Sequence, residues 1–297
     1  MTPRERGFLL LSSHLGDPNR RPLTTAQLRS LAAAMRNAEM AAEDRDLEEG
    51  DLIRLGLGRD LARRIVCLLN EEAVLDYYLK KGEKLGCFPV SRVGSHYPLI
   101  LRKRLGLDSP GVLWAKGDLS FLDTPTLSLV GSRELSDRNR EFAAEVGRQA
   151  ALQGYTLVSG NARGADKTAQ KACLEAGGKV IAVVADSLET HKAKKNVLYL
   201  SEDSFDEEFS AQRALSRNRV IHGLGLKTFV AQSSVKTGGT WDGTVQNLRF
   251  GWSPVFCFDD GSEAMTLLGQ MGANPIGMRD LASIYDLQEM TENIFDR

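Results

Sequence analysis

From Thr126 onward, short apolar runs alternate with longer amphipathic ones, and this alternation constrains the fold more than any other feature of the chain. "TLSLV" (126–130), "YTLVS" (155–159), "KVIAVVA" (179–185), "KTFVA" (227–231) and "PVFCF" (254–258) read as strands. Between and after them, "RNREFAAEVGRQAALQG", "DKTAQKACLEAG", "SAQRALSRNRVIHGL", "TWDGTVQNLRFG" and "SEAMTLLGQMG" carry helical spacing; the first puts Phe142, Val146 and Ala150 on one face and closes at Gly154. A strand as continuously apolar as "KVIAVVA" belongs to a parallel sheet covered on both faces. The pattern predicts an α/β protein with a doubly wound, mostly parallel sheet. Its ligands are then expected outside the carboxyl ends of the strands.

The preceding residues differ in kind. Residues 1–88 are predicted to form a small helical domain of the SAM or helix-hairpin-helix type. It contains "TTAQLRSLAAAMRNAEMA", N-capped at Thr24 or Thr25, and two short helices around Gly56 and Gly58. Modules of this shape often grip DNA backbones, but the pattern alone favours a packing role. Residues 91–125, with Pro98, Pro110 and Pro125, read as a linker docking onto the next domain, which spans 89–276. Residues 277–297 read as a tail with room for one amphipathic helix.

Composition narrows the chemistry. The formal net charge is −1 over 297 residues, so a nucleic-acid site must come from local clustering of basic residues. Cys67, Cys87, Cys173 and Cys257 lie far apart, as do His14, His96, His191 and His222, which suggests reduced buried thiols and no metal site. No apolar run approaches the ~18 residues of a membrane-spanning helix, and "FLLL" is too short for the core of a signal peptide. A cytoplasmic protein is expected, without membrane contact and without a cofactor.

Three strand ends carry glycine beside hydroxyls and a cation. They are Gly131-Ser132-Arg133, then Ser159, Gly160, Arg163, Gly164, Asp166 and Lys167, then Lys236, Thr237, Gly238, Gly239 and Thr240. Glycine admits a ligand close to the backbone, helix N-termini present free N–H groups, and cations neutralise anions. The three turns together predict a phosphate-binding cleft. Neither the dinucleotide fingerprint nor the P-loop pattern occurs in them. Asp166 is expected to N-cap its helix. Arg213 and Arg217 share a helical face, and Arg217-Asn218-Arg219 leads toward a sheet strand. Trp241, the main aromatic near the turns, is expected in the core or an interface.

"LVGSR", "LVSGNARGADKTAQKACLEAGGKVIAVV" and "SRNRVIHGL", in this order, resemble the DprA/Smf family of DNA-processing proteins. "HYPLILRKRLGLDSPGVLWAKGD" upstream and "GANPI" downstream are similar to its flanking segments, so the likeness covers about residues 90–276. The resemblance implies an extended Rossmann-like domain that binds single-stranded DNA without catalysis, helps load a RecA-type recombinase in natural transformation, and forms a homodimer. It assigns Gly131, Ser132 and Arg133 to a phosphate-gripping turn, and Ser159, Gly160, Gly164 and Asp166 to a second. Arg217 and Arg219 would line the same pocket, and Lys236 to Thr240 would close it. Gln170 stands where the family commonly has histidine, and Asn161 where it has an apolar residue. The family's Tyr-Pro and Ser-Glu landmarks are only loosely followed in 186–209, whose acids would repel DNA unless turned away. A C-terminal winged-helix-like domain is not expected. Such drift also suits a divergent paralogue in phage defence or a mobile element.

Two alternatives stay open. Related Rossmann-like enzymes cleave nucleoside monophosphates with a P-G-G-x-G-T-x-x-E turn, which "TGGTWDGT" partly echoes; Asp242 would have to replace the glutamate at another spacing. A sensor of a signalling nucleotide would keep the pocket without catalysis.

Overall fold

The structure, a computed structural model, describes residues 1–37, 47–202 and 204–288. The chain opens with helices α1 (Pro3–Ser12), α2 (Thr25–Asn37), α3 (Glu49–Arg54), α4 (Arg59–Leu69) and α5 (Glu72–Lys84). The end of the run "TTAQLRSLAAAMRNAEMA" lies outside the described residues. β1 (Phe88–Ser91), α6 (Leu99–Leu105) and β2 (Val112–Lys116) follow. The alternating part comprises β3 (Thr126–Val130), α7 (Asp137–Leu152), β4 (Thr156–Ser159), α8 (Ala165–Glu175), β5 (Lys179–Val184) and β6 (Val197–Glu202). It continues through α9 (Ala211–Ser216), α10 (Asn218–Leu224), β7 (Lys227–Val230), α11 (Gly238–Phe250), β8 (Val255–Phe258), α12 (Glu263–Gln270) and β9 (Asn274–Ile276).

Among the described residues these strands form one nine-stranded sheet in the order β1-β2-β6-β5-β4-β3-β7-β8-β9. From β6 to β9 every pairing is parallel, while β1–β2 and β2–β6 are antiparallel. The expected doubly wound, mostly parallel α/β sheet is therefore present. β3 is the switch point: the chain builds outward on one side through β4, β5 and β6, then returns to its other side with β7. Both edge strands carry a central proline, Pro89 in β1 and Pro275 in β9. Proline removes a backbone donor and so discourages further pairing at an edge.

Period-two alternation divides the core in two. Leu127 and Leu129 of β3, with Val180, Ala182 and Val184 of β5, face Phe142 and Val146 of α7 and Ala169 of α8. Val130, Val158, Ile181 and Val183 face the other way, onto Leu101 of α6, Val220 and Ile221 of α10, Leu248 of α11 and Leu268 of α12. The N-terminal helices are not all separate from this body. Leu9 and Leu10 of α1 and Leu75 and Tyr78 of α5 join the first core, where Tyr78, Trp114 and Phe205 have ring centroids 4.6–5.2 Å apart. A smaller cluster, including Leu31, Leu52, Ala62 and Ile65, holds α2, α3 and α4 together.

Several expectations need correction. Residues 91–125 are no linker: Pro98 caps α6, Pro110 precedes β2, and β2 is buried along its whole length. The prolines flank elements instead of interrupting them. The acidic stretch 186–209 holds a fully buried strand, β6. The helix expected over 210–224 is two helices meeting at Arg217. In the tail, for which one helix was allowed, Met278–Ser283 form a 3₁₀ turn, and residues 289–297 lie outside the described ones. Cys67 is exposed, whereas Cys87, Cys173 and Cys257 are buried thiols.

Candidate nucleic-acid interface

The turn after β3 is held from both sides. Ser132 donates its backbone N–H to Gln232 O (2.9 Å), beyond β7, and its carbonyl accepts from Ala165 N (3.1 Å), at the start of α8. Gly164 makes this approach possible. It adopts φ +85°, and a Cβ there would lie 2.4 Å from Ser132 O and 2.5 Å from Arg133 O. With the turn's backbone fixed, the Arg133 side chain extends from it into solvent. It makes no hydrogen bond or ion pair with the described residues.

The turn after β4 is organised by two buried charges. Asp166 does not cap α8; Gly164 occupies that position. The carboxylate reaches back and accepts from Ala162 N (3.0 Å), closing the preceding loop. Burial raises its pKa to about 6, against the pull of Arg217 and of the Ala162 and Gly160 N–H groups. Arg217, 8% exposed, donates to the carbonyls of Gly160, Val183 and Ala214. Burial lowers its pKa, opposed by Asp166 and Asp186. Gly160 leaves room for this guanidinium, since a Cβ there would overlap it. Arg217 is thus a fixed positive charge tying β4 to β5 beneath the site.

The turn after β7 rises through Lys236, at φ +52°, into α11. Thr237 stands at the N-cap without a side-chain capping bond, and Asn218 holds the first turn by donating to Gly239 O (3.0 Å). Here the helix N-terminus borders the cleft with no side-chain capping bond at its N-cap.

These turns enclose a cleft of about 560 Å³ at the switch point. Gly131, Ser132, Arg133, Asp166, Arg217, Asn218 and Thr237 to Thr240 line it. A second cavity of about 310 Å³ adjoins it, lined by Gly160, Asn161, Arg163, Ala185 and Asp186. Arg133, Ala162, Phe209 and Arg217 border both. Several expected residues lie elsewhere. Ser159 is buried and accepts from Gln170 Nε2 (2.7 Å), so it supports the turn from beneath. Arg219 turns away to the Asp108 carbonyl and an ion pair with Glu202. Lys236 and Lys167 are exposed cations outside the two linings; Lys167 donates to Asn161 Oδ1. Arg163 lies 3.5 Å from the equally exposed Glu134.

Sequence reasoning missed Phe209. It is 56% exposed at the border of the two cavities, whereas Trp241 is buried in the core. No local pattern marks Phe209, which sits in an acidic, irregular stretch. The acids of that stretch are largely engaged: Asp206 with Lys81 and Tyr78, Glu207 with Arg213, Glu202 with Arg219, and Asp186 with His191. Asp242 of α11 is exposed and outside the cleft lining.

A family model, DNA recombination-mediator protein A, matches residues 90–277. The chain belongs to that family. DNA processing protein DprA of Streptococcus pneumoniae (strain ATCC BAA-255 / R6) is 33% identical over 141 residues, covering 44% of this chain and 50% of that protein. Protein Smf of Escherichia coli (strain K12) is 31% identical over 142 residues, covering 44% of this chain and 38% of the relative. In these alignments the chain spans about half or less of its relatives' length. The X-ray structure of DprA from Streptococcus pneumoniae superposes with a TM-score of 0.70 at 25% identity, covering 90% of this chain and 95% of the other. A Helicobacter pylori DprA structure, described as revealing a single-stranded DNA binding mode, shares the fold with a TM-score of 0.55 at 23% identity, covering 66% and 92%. The family's extended Rossmann-like architecture is thus present here. Among the described residues, no helix is long and apolar enough to cross a membrane, and no cluster of His, Cys, Asp and Glu could hold a metal ion.

Proposed function

We propose that this member of the DprA/Smf family binds single-stranded DNA across the carboxyl ends of β4, β3 and β7 and acts in DNA processing without catalysing a reaction. One observation carries the reading. Arg133 projects from a turn stapled on both sides, borders both cavities, and makes no ion pair with the described residues. The backbone that carries this cation is already ordered, and no ion pair with a described residue has to be broken before it meets a phosphate. Arg163, Lys167 and Lys236 extend the positive surface, and the N-terminus of α11 offers its N–H groups. The single-stranded DNA binding mode in the description of the Helicobacter pylori relative supports the same ligand. Contacts of this kind are to the backbone, so sequence preference should be slight. We place the protein in the cytoplasm as a homodimer that helps load a RecA-type recombinase.

Fluorescence anisotropy of labelled oligo-dT tests the reading, with unlabelled duplex as competitor. Wild type is expected to prefer the single strand, and Arg133→Ala to weaken binding about tenfold, as for loss of one charge-assisted contact. Equal binding by wild type and variant would contradict it. The volume of the larger cavity also suits a small nucleotide. That second reading predicts that a nucleoside monophosphate competes as well as a strand does.

A further inference from the structure

The two cavities are adjoining compartments, and of the four residues that border both, Arg133, Ala162, Phe209 and Arg217, one is aromatic. Phe209 borders both, is largely exposed, and makes no ring or cation contact with the described residues. Phe209 is one of several large apolar side chains left exposed, and what sets it apart is its place on the border of both cavities. Its backbone is well anchored. On one side Phe205 is buried in the first core, and Asp206 accepts from Tyr78 and Lys81. After Phe209, Ser210 caps α9 by accepting from Arg213 N (3.1 Å), and before it Glu207 pairs with Arg213. Arg213 is itself fixed to Ala185 O at the end of β5. The segment that carries the ring is therefore held at both ends, at the border of the two cavities that Arg133 also lines.

We infer that Phe209 divides the site into two adjoining nucleotide subsites and stacks on a base, with Arg133 meeting the phosphate that joins the two nucleotides. This rests on the single-stranded DNA reading and specifies it further. The ligand the site recognises is then two linked nucleotides, since a lone nucleotide would fill one compartment and leave Arg133 without its bridging phosphate. Stacking on an aromatic ring tolerates any base, because every base has a π-face. It fits a site whose other contacts are to phosphate.

The test compares labelled oligo-dT with a strand of equal length made of abasic sugar-phosphate units, using wild type, Phe209→Ala and Phe209→Trp. Wild type should bind oligo-dT about tenfold more tightly than the abasic strand, the scale of one stacked base. Phe209→Ala should lose this preference while keeping wild-type affinity for the abasic strand. Phe209→Trp should retain it, with indole emission quenched by oligo-dT but not by the abasic strand. In competition, the dinucleotide d(TpT) should displace the label at least about tenfold better than thymidine monophosphate. A preference for bases that survives Phe209→Ala would overturn the stacking role, and equal competition by the two short ligands would overturn the two subsites. Failure of wild type to bind either strand would instead overturn the single-stranded DNA reading, and this inference with it.

Discussion

At the scale of residues, the cleft depends on side chains and glycines whose roles come from what lies against them. Gly164 combines positive φ with backbone oxygens within 2.5 Å of where a Cβ would be. Those oxygens belong to the turn that carries Arg133. Gly164→Ala is expected to destabilise the fold by about 3 kcal/mol or more, because both the backbone conformation and the packing resist it. Urea denaturation gives the value, and DNA affinity should fall with it. Asp166 provides a pH signature. In the folded protein it keeps its proton up to a pKa of about 6, against 3.8 as its ordinary value. The folded state therefore binds more protons between those values, and stability falls as pH rises through that window. The stability difference between wild type and Asp166→Asn should shift against wild type by about 2 kcal/mol from pH 4 to pH 7, measured by denaturant titration. A difference that stays constant with pH would mean that Asp166 is not held in this environment.

At the scale of elements, legibility in the sequence followed local pattern. β3, β4, β5, β7 and β8 were readable because each is a short apolar run between helical segments. β2 and β6 were not. β6 runs into Ser201 and Glu202, its neighbours are charged, and its burial comes from β2 and β5, distant partners that no local window reports. The same limit applied to the site. Glycine turns announced Gly131, Gly160, Gly164 and Gly238, but which cations reach the cleft depends on tertiary contacts. Arg219, two residues beyond Arg217, is drawn away by Glu202. Arg217 itself works through geometry, with bonds to three carbonyls from a junction between two short helices. Arg217→Lys would keep the buried charge but not the planar fork. It is expected to cost about 2–4 kcal/mol in stability and to weaken strand binding, as read by thermal unfolding and anisotropy. A wild-type melting curve would show that charge alone suffices there.

At the scale of the molecule, the N-terminal helices and the sheet share a core although their sequence patterns differ. The expected boundary after residue 88 marks a change of pattern, and we propose that it does not mark independent folding. Removing residues 1–84 would uncover Trp114 and Phe205, which pack against Tyr78, and the face of the sheet that Leu9, Leu10 and Leu75 cover. The truncated chain is expected to lose cooperative thermal unfolding or to aggregate; a sharp transition with intact DNA binding would contradict this. The chain has a formal net charge of −1, so under the proposed function affinity for DNA would come from local cations such as those near the strand ends, not from overall charge.

The most direct measurement is the salt dependence of oligo-dT binding by wild type and Arg133→Ala. For single strands the logarithm of affinity falls with the logarithm of salt by about 0.7 for each phosphate neutralised. With Arg133, Arg163, Lys167 and Lys236 engaged, a wild-type slope of about −2 to −3 is expected, becoming shallower by about 0.7 in Arg133→Ala. A slope near zero in wild type, or an identical slope in the variant, would contradict the claim that this cleft grips the phosphates of a DNA strand.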